Sequence, residues 1–455
     1  MSNKSAITFY GGTGTVTGAN FLLETGGRKF LIDCGMFQGT PDSDTRNSQP
    51  FDYDPKEIEI LFVTHAHLDH IGRIPFLIKE GFRGKILSTP PTKELTALML
   101  EDTVNLLDRE ARAKGVLPLY GKAEMLQALN LWQTFDYHET KELGDGLGVT
   151  PKDSGHILGS AMYEFTKNGK KIVFTGDLGN TPTPLLKDTE PLKGVDYLVM
   201  ESVYGDRNHE SQEERVNKLK QAIEVTVKRG GTLVIPAFSM ERTQVLIYEI
   251  NKMVESGQLK PVPVYLDSPL AIRVTEVYRH SQENFNDDVK KAISLGDEIF
   301  KFPLLKLAHT TQESLAIKRH DGPKVVIAGS GMSMGGRVLM HERDYLPDSN
   351  SMILLPGYQS VGTLGRKLQN GEKEVEIEGE KVAVRAEIRE IHGFSSHKDS
   401  EHLLDFVAET AESLKKVFVV MGEPKAGMFL AQRIHDYLNV EAIYPEVDQR
   451  SEIDF

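Results

Sequence analysis

The sequence predicts an α/β protein in which a β-rich α/β frame is interrupted by an inserted parallel α/β unit. Three observations carry this expectation. Short apolar runs closed by glycines crowd the first 65 residues (AITFYGG, NFLLETGG, RKFLIDCG, EILFVTHAH), the punctuation of strands and hairpins. From about residue 208 strand-like and helix-like stretches alternate at the spacing of a parallel sheet with crossover helices. After residue 370 short strand-like runs resume (EVEIEG, KVAVRAEIREIHG).

Taken in order, helices are expected at 93–114 and 122–134, where apolar residues such as Leu95, Leu98, Met99 and Val104 recur three to five apart. Strands return at KKIVFTGD from residue 170 and at VDYLVME (195–201). The inserted unit opens with an amphipathic helix, EERVNKLKQAIEVTVKRGG, and continues as strand TLVIPAF, helix RTQVLIYEINKMVESG and strand PVYLDS, with KVVIAGSGM and SMILLPGYQ as later strands. A helix, a strand at KKVFVVMGE and a last helix close the chain. The expected segments are 1–207, 208–365 and 366–455.

With 455 residues the chain is long enough for two to three domains. A formal charge of −13 argues against binding nucleic acid by bulk positive charge, though it leaves room for a local basic groove. Apolar residues at 39% supply a sizeable core. There is no run of about 18 apolar residues, so no membrane span is expected, and MSNKSAITFYGGTG lacks the apolar stretch of a signal peptide. One cysteine, Cys34, permits no intramolecular disulfide, fits a reducing cytoplasm and excludes a cysteine-based zinc knuckle. The 14 histidines are available as ligands instead.

Their densest cluster is THAHLDH at 64–70, directly after the apolar ILFV. His65 and His67, two apart on extended chain, point the same way, and Asp69 and His70 turn into a helix. Imidazole and carboxylate suit Zn²⁺ or Mn²⁺, and so much ionisable density beside a buried strand is costly without a metal. One segment rarely closes two metal sites, so further ligands belong at other strand ends: His156 in DSGHILGSA and Asp177 at the end of KIVFTGD. Asp33, ending RKFLIDCG, is placed to orient a ligand histidine through its second nitrogen.

With these residues in view the sequence resembles the metallo-β-lactamase superfamily, and over essentially its whole length its β-CASP branch of nucleases, which includes bacterial RNA-degrading enzymes and the nuclease subunit of the pre-mRNA 3′-end cleavage factor. LIDCG, THAHLDH, SGHILGSA and FTGD stand in the family's order; ESVYGDR (201–207) matches the branch's first extra motif through Glu201, and GFSSHKD (393–399) its second through His397. The resemblance implies an αββα sandwich carrying the metals and an inserted β-CASP domain forming the lid of a substrate groove. It implies that His65, His67 and His156 hold one metal, that Asp69 and His70 hold the second, and that Asp177 bridges them. It further implies a two-metal phosphodiesterase using an activated hydroxide. Catalysis would rest on Asp69 and on His397 as the acid for the leaving oxygen, kept protonated by Glu201.

Two glycine-rich segments need a separate reading. GGTGTVTG (11–18) leads into a strand where a phosphate loop needs a helix, so it reads as a hairpin turn. SGMSMGGR (330–337) and GYQSVGTLGRKL (357–368) look like the branch's backbone-binding loops, with Ser330, Gly331 and Met332 offering amides to an RNA phosphate and Arg366, Arg242 and Arg337 adding charge. His309, His320, His341 and His435 lack motif context and read as structural or solvated.

One departure stands out. RNA-processing members of the branch carry a last metal-binding histidine in a strand ending HGE; here VFVVMGEPKA puts Met421 there, and a thioether is a poor zinc ligand. The second site is then one protein ligand short unless His392 or water compensates. The combined expectation is a cytoplasmic, metal-dependent ribonuclease with one or two Zn²⁺ per chain (Mn²⁺ as the alternative) and RNA as partner. It has no membrane contact, and a homodimer is compatible with it. A DNA nuclease of the same branch and a non-catalytic RNA-processing subunit are the rival readings.

Overall fold

The computed structural model describes residues 5–40, 42–360 and 362–455. The chain forms two compact units, one of Met1–Asn208 with His397–Phe455 and the other of His209–Ser396. The first unit begins with β1 (Ser5–Phe9), β2 (Phe21–Thr25), β3 (Arg28–Ile32), β4 (Ile60–Phe62), β5 (Lys85–Ser88) and β6 (Trp132–Thr134). It continues with β7 (Lys141–Gly144), β8 (Leu147–Asp153), β9 (Ala161–Lys167), β10 (Lys170–Phe174) and β11 (Tyr197–Glu201). The second unit holds β12 (Thr232–Pro236), β13 (Val264–Asp267), β14 (Leu305–Leu307), β15 (Lys324–Ala328), β16 (Met352–Leu355), the hairpin β17 (Glu374–Ile377) and β18 (Glu380–Ala383), and β19 (Glu387–Glu390). The chain returns to the first unit for β20 (Lys416–Val420), β21 (Ala442–Ile443) and β22 (Arg450–Ile453).

The first unit is a four-layer αββα sandwich. One sheet runs β22-β1-β2-β3-β4-β5-β6 and the other β21-β20-β11-β10-β9-β8-β7. Alternation along each strand sorts the side chains. Phe30 and Ile32 of β3, Tyr197 and Val199 of β11, and Phe418 and Val420 of β20 fill the space between the sheets together with Phe9, Phe21, Phe62, Tyr163 and Phe174. Their neighbours face outward to helices. Leu31 and Leu61 join Ile74, Leu77, Leu100 and Met125 on one side. On the other, Leu198, Met200, Val417 and Val419 join Leu403, Phe406, Leu430 and Ile434.

The second unit has a six-stranded sheet, β14-β13-β15-β12-β16-β19, with every pairing parallel, as the alternation after residue 208 predicts. Its end differs from the sequence expectation. The segment from 366 to 396 belongs to this unit, because Val375, Ile377, Val382 and Ala386 pack in one core with Val234, Val326 and Ile353. The return to the first unit comes at His397.

Two further differences are local. The helix expected over 122–134 stops at Leu131, and Trp132–Thr134 pairs with β5. The indole there is buried and donates from Nε1 to Ser88 Oγ at 2.8 Å, which outweighs three more residues of helix. At the chain end Arg450–Ile453 pairs antiparallel with β1, a pairing its polar sequence does not announce. Among the described residues no helix is long and apolar enough to cross a membrane.

Candidate metal centre

Parallel strands β3 and β4 of one sheet and β10 and β11 of the other deliver their carboxyl-terminal residues to a single site in the first unit. Asp33 follows β3; Thr64, His65 and His67 follow β4; Asp177 follows β10; Glu201 ends β11. The helix Leu68–Ile71 supplies Asp69 and His70, the turn after β8 supplies His156, and His397 bridges to Gly179 from the last segment. Two glycines make this approach possible. A Cβ on Gly35 would sit 1.6 Å from the Asp69 carbonyl oxygen, and one on Gly176 (φ 54°) would meet Thr64 Cβ at 2.6 Å.

Three groups of donors result, each with ligand atoms within 4.8 Å of one another: His65, His67, His156 and Asp177; Asp69, His70 and Asp177; and Asp177, Glu201 and His397. The three imidazoles of the first group are nearly equidistant, with ring centroids 5.0, 4.9 and 5.1 Å apart. His65 Nε2 and His156 Nε2 lie 3.1 and 3.2 Å from His67 Nδ1, and each is 3.5 Å from Asp177 Oδ2. In the second group His70 Nε2 is 3.4 Å from Asp177 Oδ1 and 3.9 Å from Asp69 Oδ2. The structure thus brings together all six sequence-predicted ligand positions, with Asp177 common to both groups.

Asp33 is fully buried and organises the site from behind. Its Oδ1 accepts from the Thr64 amide and its Oδ2 from the Thr64 hydroxyl, both at 2.8 Å, and its Oδ2 also accepts from His70 Nδ1 at 2.7 Å. Pinning one ring nitrogen aims the other at a ligand position. Thr64, which sequence reasoning passed over, also reaches His65 Nδ1 at 3.0 Å; its place at the head of THAHLDH was the available signal.

The donor set fits divalent cations. His70 Nε2 and Asp177 Oδ1 are fully buried and make no hydrogen bond among the described residues, an arrangement that is costly unless a cation satisfies both. Three imidazoles with one carboxylate in the first group, and one imidazole with two carboxylates in the second, are borderline ligand sets that zinc accepts. Burial, reinforced by the charge of His70, pushes the His65 imidazole well below its usual range and keeps it neutral. For His70 burial acts in the same downward sense, but the Asp177 and Asp33 charges outweigh it and hold this ring up.

Beyond the donors, His397 Nδ1 lies 3.1 Å from Glu201 Oε1 and 3.9 Å from Asp177 Oδ2. Glu201 is fully buried and is fixed by the Leu178 amide at 2.6 Å and the Val203 amide at 3.3 Å. Burial alone would lower His397, yet the Glu201 carboxylate, with Asp177 and Asp69, raises it to about 9.

Met421 is 1% exposed and belongs to the core between the sheets. Its sulfur is so close to Gly12 that a Cβ there would meet it at 2.6 Å, and it lines a narrow cavity with Phe21, Asp33, Gly176 and Val420. The thioether therefore lies behind Asp33 and the Asp177 turn. His392 lies in the second unit, half-exposed, 3.4 Å from Glu390. The loops expected to take phosphate are also in that unit. The Ser330 amide is spent on the Gly335 carbonyl at 3.0 Å, whereas those of Gly331 and Met332 donate to nothing among the described residues. Arg366 Nε donates to the Gln359 carbonyl at 2.7 Å. Arg337 is engaged with Asp267, Ala308 and His309, and His341 is a buried partner of Asp267.

Known proteins corroborate this architecture. Residues 13–227 match the family model described as metallo-beta-lactamase superfamily, 243–368 that of the Beta-Casp domain, and 381–445 that of the Zn-dependent metallo-hydrolase RNA specificity domain. Ribonuclease TTHA0252 of Thermus thermophilus is 36% identical over 92% of this chain and 93% of its own length. An RNase J-like protein of Methanocaldococcus jannaschii is 31% identical over 96% and 97%, and transcription termination factor FttA of Methanosarcina mazei is 30% identical over 96% and 69%. A crystal structure of a protein of unknown function from Enterococcus faecalis shares the fold, with a TM-score of 0.59 at 14% identity over 99% of this chain and 100% of the other. The chain belongs to the β-CASP branch of the metallo-β-lactamase superfamily.

Proposed function

We propose that this chain is a metal-dependent ribonuclease that hydrolyses phosphodiester bonds. The observation that carries the reading is the pair of donor groups sharing Asp177, with two buried donor atoms left without hydrogen bonds, beside a histidine held protonated. RNA as the substrate class is favoured by the relatives named as ribonucleases and by the description of the domain matched at 381–445. His65, His67, His156 and Asp177 would hold one cation, and Asp69, His70 and Asp177 the other. Divalent cations so held, Zn²⁺ by this donor set, supply an activated water at neutral pH and positive charge for the phosphorus centre.

The chain's own groups do the rest. Asp33 and Thr64 fix the His70 and His65 rings so that their Nε2 atoms stay aimed inward. Glu201 holds the proton on His397, which passes it to the leaving oxygen and so avoids expelling an alkoxide. The single buried cysteine suits a reducing compartment, and we place the protein in the cytoplasm.

The test is elemental analysis of the purified chain paired with cleavage of end-labelled RNA and DNA of one sequence. RNA cleavage that disappears in Asp177→Asn together with bound metal is the expected result. Preference for DNA would reassign the substrate, and full metal with no cleavage of either would make the chain a binding subunit.

A further inference from the structure

The sheet of the second unit changes direction around β12: the chain leaves β12 for β13 and β14 on one side, returns to β15, then crosses to β16 on the other side. Outside the carboxyl ends of parallel strands, such a reversal is where open sheets form their ligand crevice. Three loops converge there, after β12 (237–241), after β15 (329–337) and after β16 (356–360). They are tied to one another. Gln359 Nε2 donates to the Gly331 carbonyl at 3.2 Å, the Gly365 amide to the Met332 carbonyl at 3.3 Å, and the Arg242 guanidinium to the Pro356 carbonyl.

On this base Phe238 is 38% exposed. Its ring rests on Gly331, where a Cβ would be 2.8 Å from Phe238 Cδ2. One side of the ring is therefore seated on backbone, and part of the remainder faces solvent. The Arg242 guanidinium lies 6.0 Å from the ring centre, and Arg366 lies 5.3 Å from the neighbouring ring of Tyr358. The nearby carboxylates are buried and each accepts at least one hydrogen bond: Glu241 from Tyr278, Glu342 from Ser333, and Asp267 from Arg337, His341 and Ser314. The surface thus combines a rigid aromatic face with two guanidinium groups, beside the half-buried Met332, whose amide donates to nothing among the described residues.

We propose that Phe238 is a base-stacking residue that seats one nucleotide of the RNA strand; the inference rests on the ribonuclease reading and deepens it. An aromatic face asks for a flat apolar partner, and the cations and amide around it ask for an anion. A nucleotide in a single strand presents a base face and a phosphate together, whereas a duplex hides its base faces in the stack. Stacking on one aromatic ring is commonly worth on the order of tenfold in affinity.

The test uses the full-length, metal-loaded chain and a single-stranded RNA of about a dozen nucleotides. Phe238→Ala and Phe238→Leu should each raise KM about tenfold with a much smaller change in kcat, and Phe238→Trp should restore it; leucine fills the volume but has no ring, so a packing role would spare Phe238→Leu. An abasic nucleotide scanned along the RNA should reproduce the loss at one position in the wild type, and Phe238→Ala should lose nothing more on that substrate. Wild-type KM with Phe238→Leu, or losses that add at every abasic position, would overturn the proposal. If the chain cuts no RNA the ribonuclease reading fails by itself, and fluorescence anisotropy of the same RNA against the same variants decides the stacking role separately.

Discussion

His70 donates from Nδ1 to Asp33 Oδ2 at 2.7 Å while its opposite nitrogen stands 3.4 Å from Asp177 Oδ1. One fully buried carboxylate thus sets the direction in which a candidate ligand points. Removing it should loosen the metal rather than the fold's chemistry. Asp33→Asn should lower affinity at the Asp69–His70–Asp177 group by about 10- to 100-fold, read as metal lost to a graded chelator. Unchanged retention would mean that Thr64 and packing alone hold the ring.

Cation uptake should expel protons. His70 is held up by Asp177 and Asp33, and an imidazolium cannot ligate, so binding must displace its proton. Affinity should therefore rise with pH up to the point at which that ring titrates freely. Calorimetric titrations of apoprotein with Zn²⁺ in two buffers of different ionisation enthalpy should give apparent enthalpies that differ by the protons released. Identical enthalpies would remove the proton from His70.

His397→Ala should lower the cleavage rate by roughly 10²- to 10⁴-fold with metal content intact; equal loss of metal would make the residue a ligand through the third donor group. Glu201→Gln gives the finer test. A general acid works only while protonated, so the rate should fall as pH rises through the His397 value of about 9. Replacing the carboxylate by a neutral amide removes the largest charge holding that value up, so the alkaline limb should move to lower pH. An unmoved limb would separate Glu201 from proton delivery.

The candidate centre was legible to different depths. His65, His67, Asp69 and His70 lie within six residues and needed only strand and turn geometry to be read as a group. His156, Asp177, Glu201 and His397 are scattered over more than 240 residues, and single aspartates or histidines at strand ends have many ordinary uses; strand-end position beside THAHLDH pointed to His156 and Asp177, and only motif resemblance joined Glu201 and His397. The sequence ends the inserted unit at 365, close to residue 368 where the Beta-Casp match ends, whereas the compact unit runs on to Ser396: EVEIEG and KVAVRAEIREIHG read as short strands in either unit, and the burial of Val375, Ile377 and Val382 beside Val234 joins them to this one. Arg450–Ile453 was missed since pairing with β1 across some 445 residues leaves no local pattern. Phe238 escaped notice because an aromatic after a strand is ordinarily core.

Met421 tests how near the apolar layer comes to the ligands. Its strand resembles the one that delivers the branch's final histidine, and its side chain shares a narrow cavity with Asp33 and Gly176. Met421→His should raise chelator resistance at the second donor group by bringing an imidazole in behind Asp177. If the imidazole instead stays among Phe21, Phe174 and Val199, thermal stability should fall, by an amount on the order of 1–3 kcal/mol for a buried polar group without a partner, and metal retention should not change. Differential scanning calorimetry with and without metal separates the two outcomes.

Glu342 makes stability depend on pH in the inserted unit. The carboxyl is fully buried; Ser333 donates to Oε1 at 2.5 Å, and Oε2 has no partner among the described residues. Burial raises it to about 8, with the Ser333 hydrogen bond opposing the rise. An acid whose folded value lies above its unfolded one keeps its proton on folding, so native chain binds more protons than unfolded chain between the two values. Its contribution is whole below about 4.5 and is lost as pH climbs towards 8, at about 1.4 kcal/mol per pH unit. Glu342→Gln cannot titrate and should lack that slope while sharing every other one. Urea unfolding of wild type and variant at pH 5.5, 6.5 and 7.5 should show the variant gaining steadily on the wild type as pH rises, whatever its starting deficit from the extra amide hydrogens. Parallel stability curves across this range would mean that water or a rearranged Ser333 loop solvates the carboxylate, and that Glu342 is ionised in the folded chain.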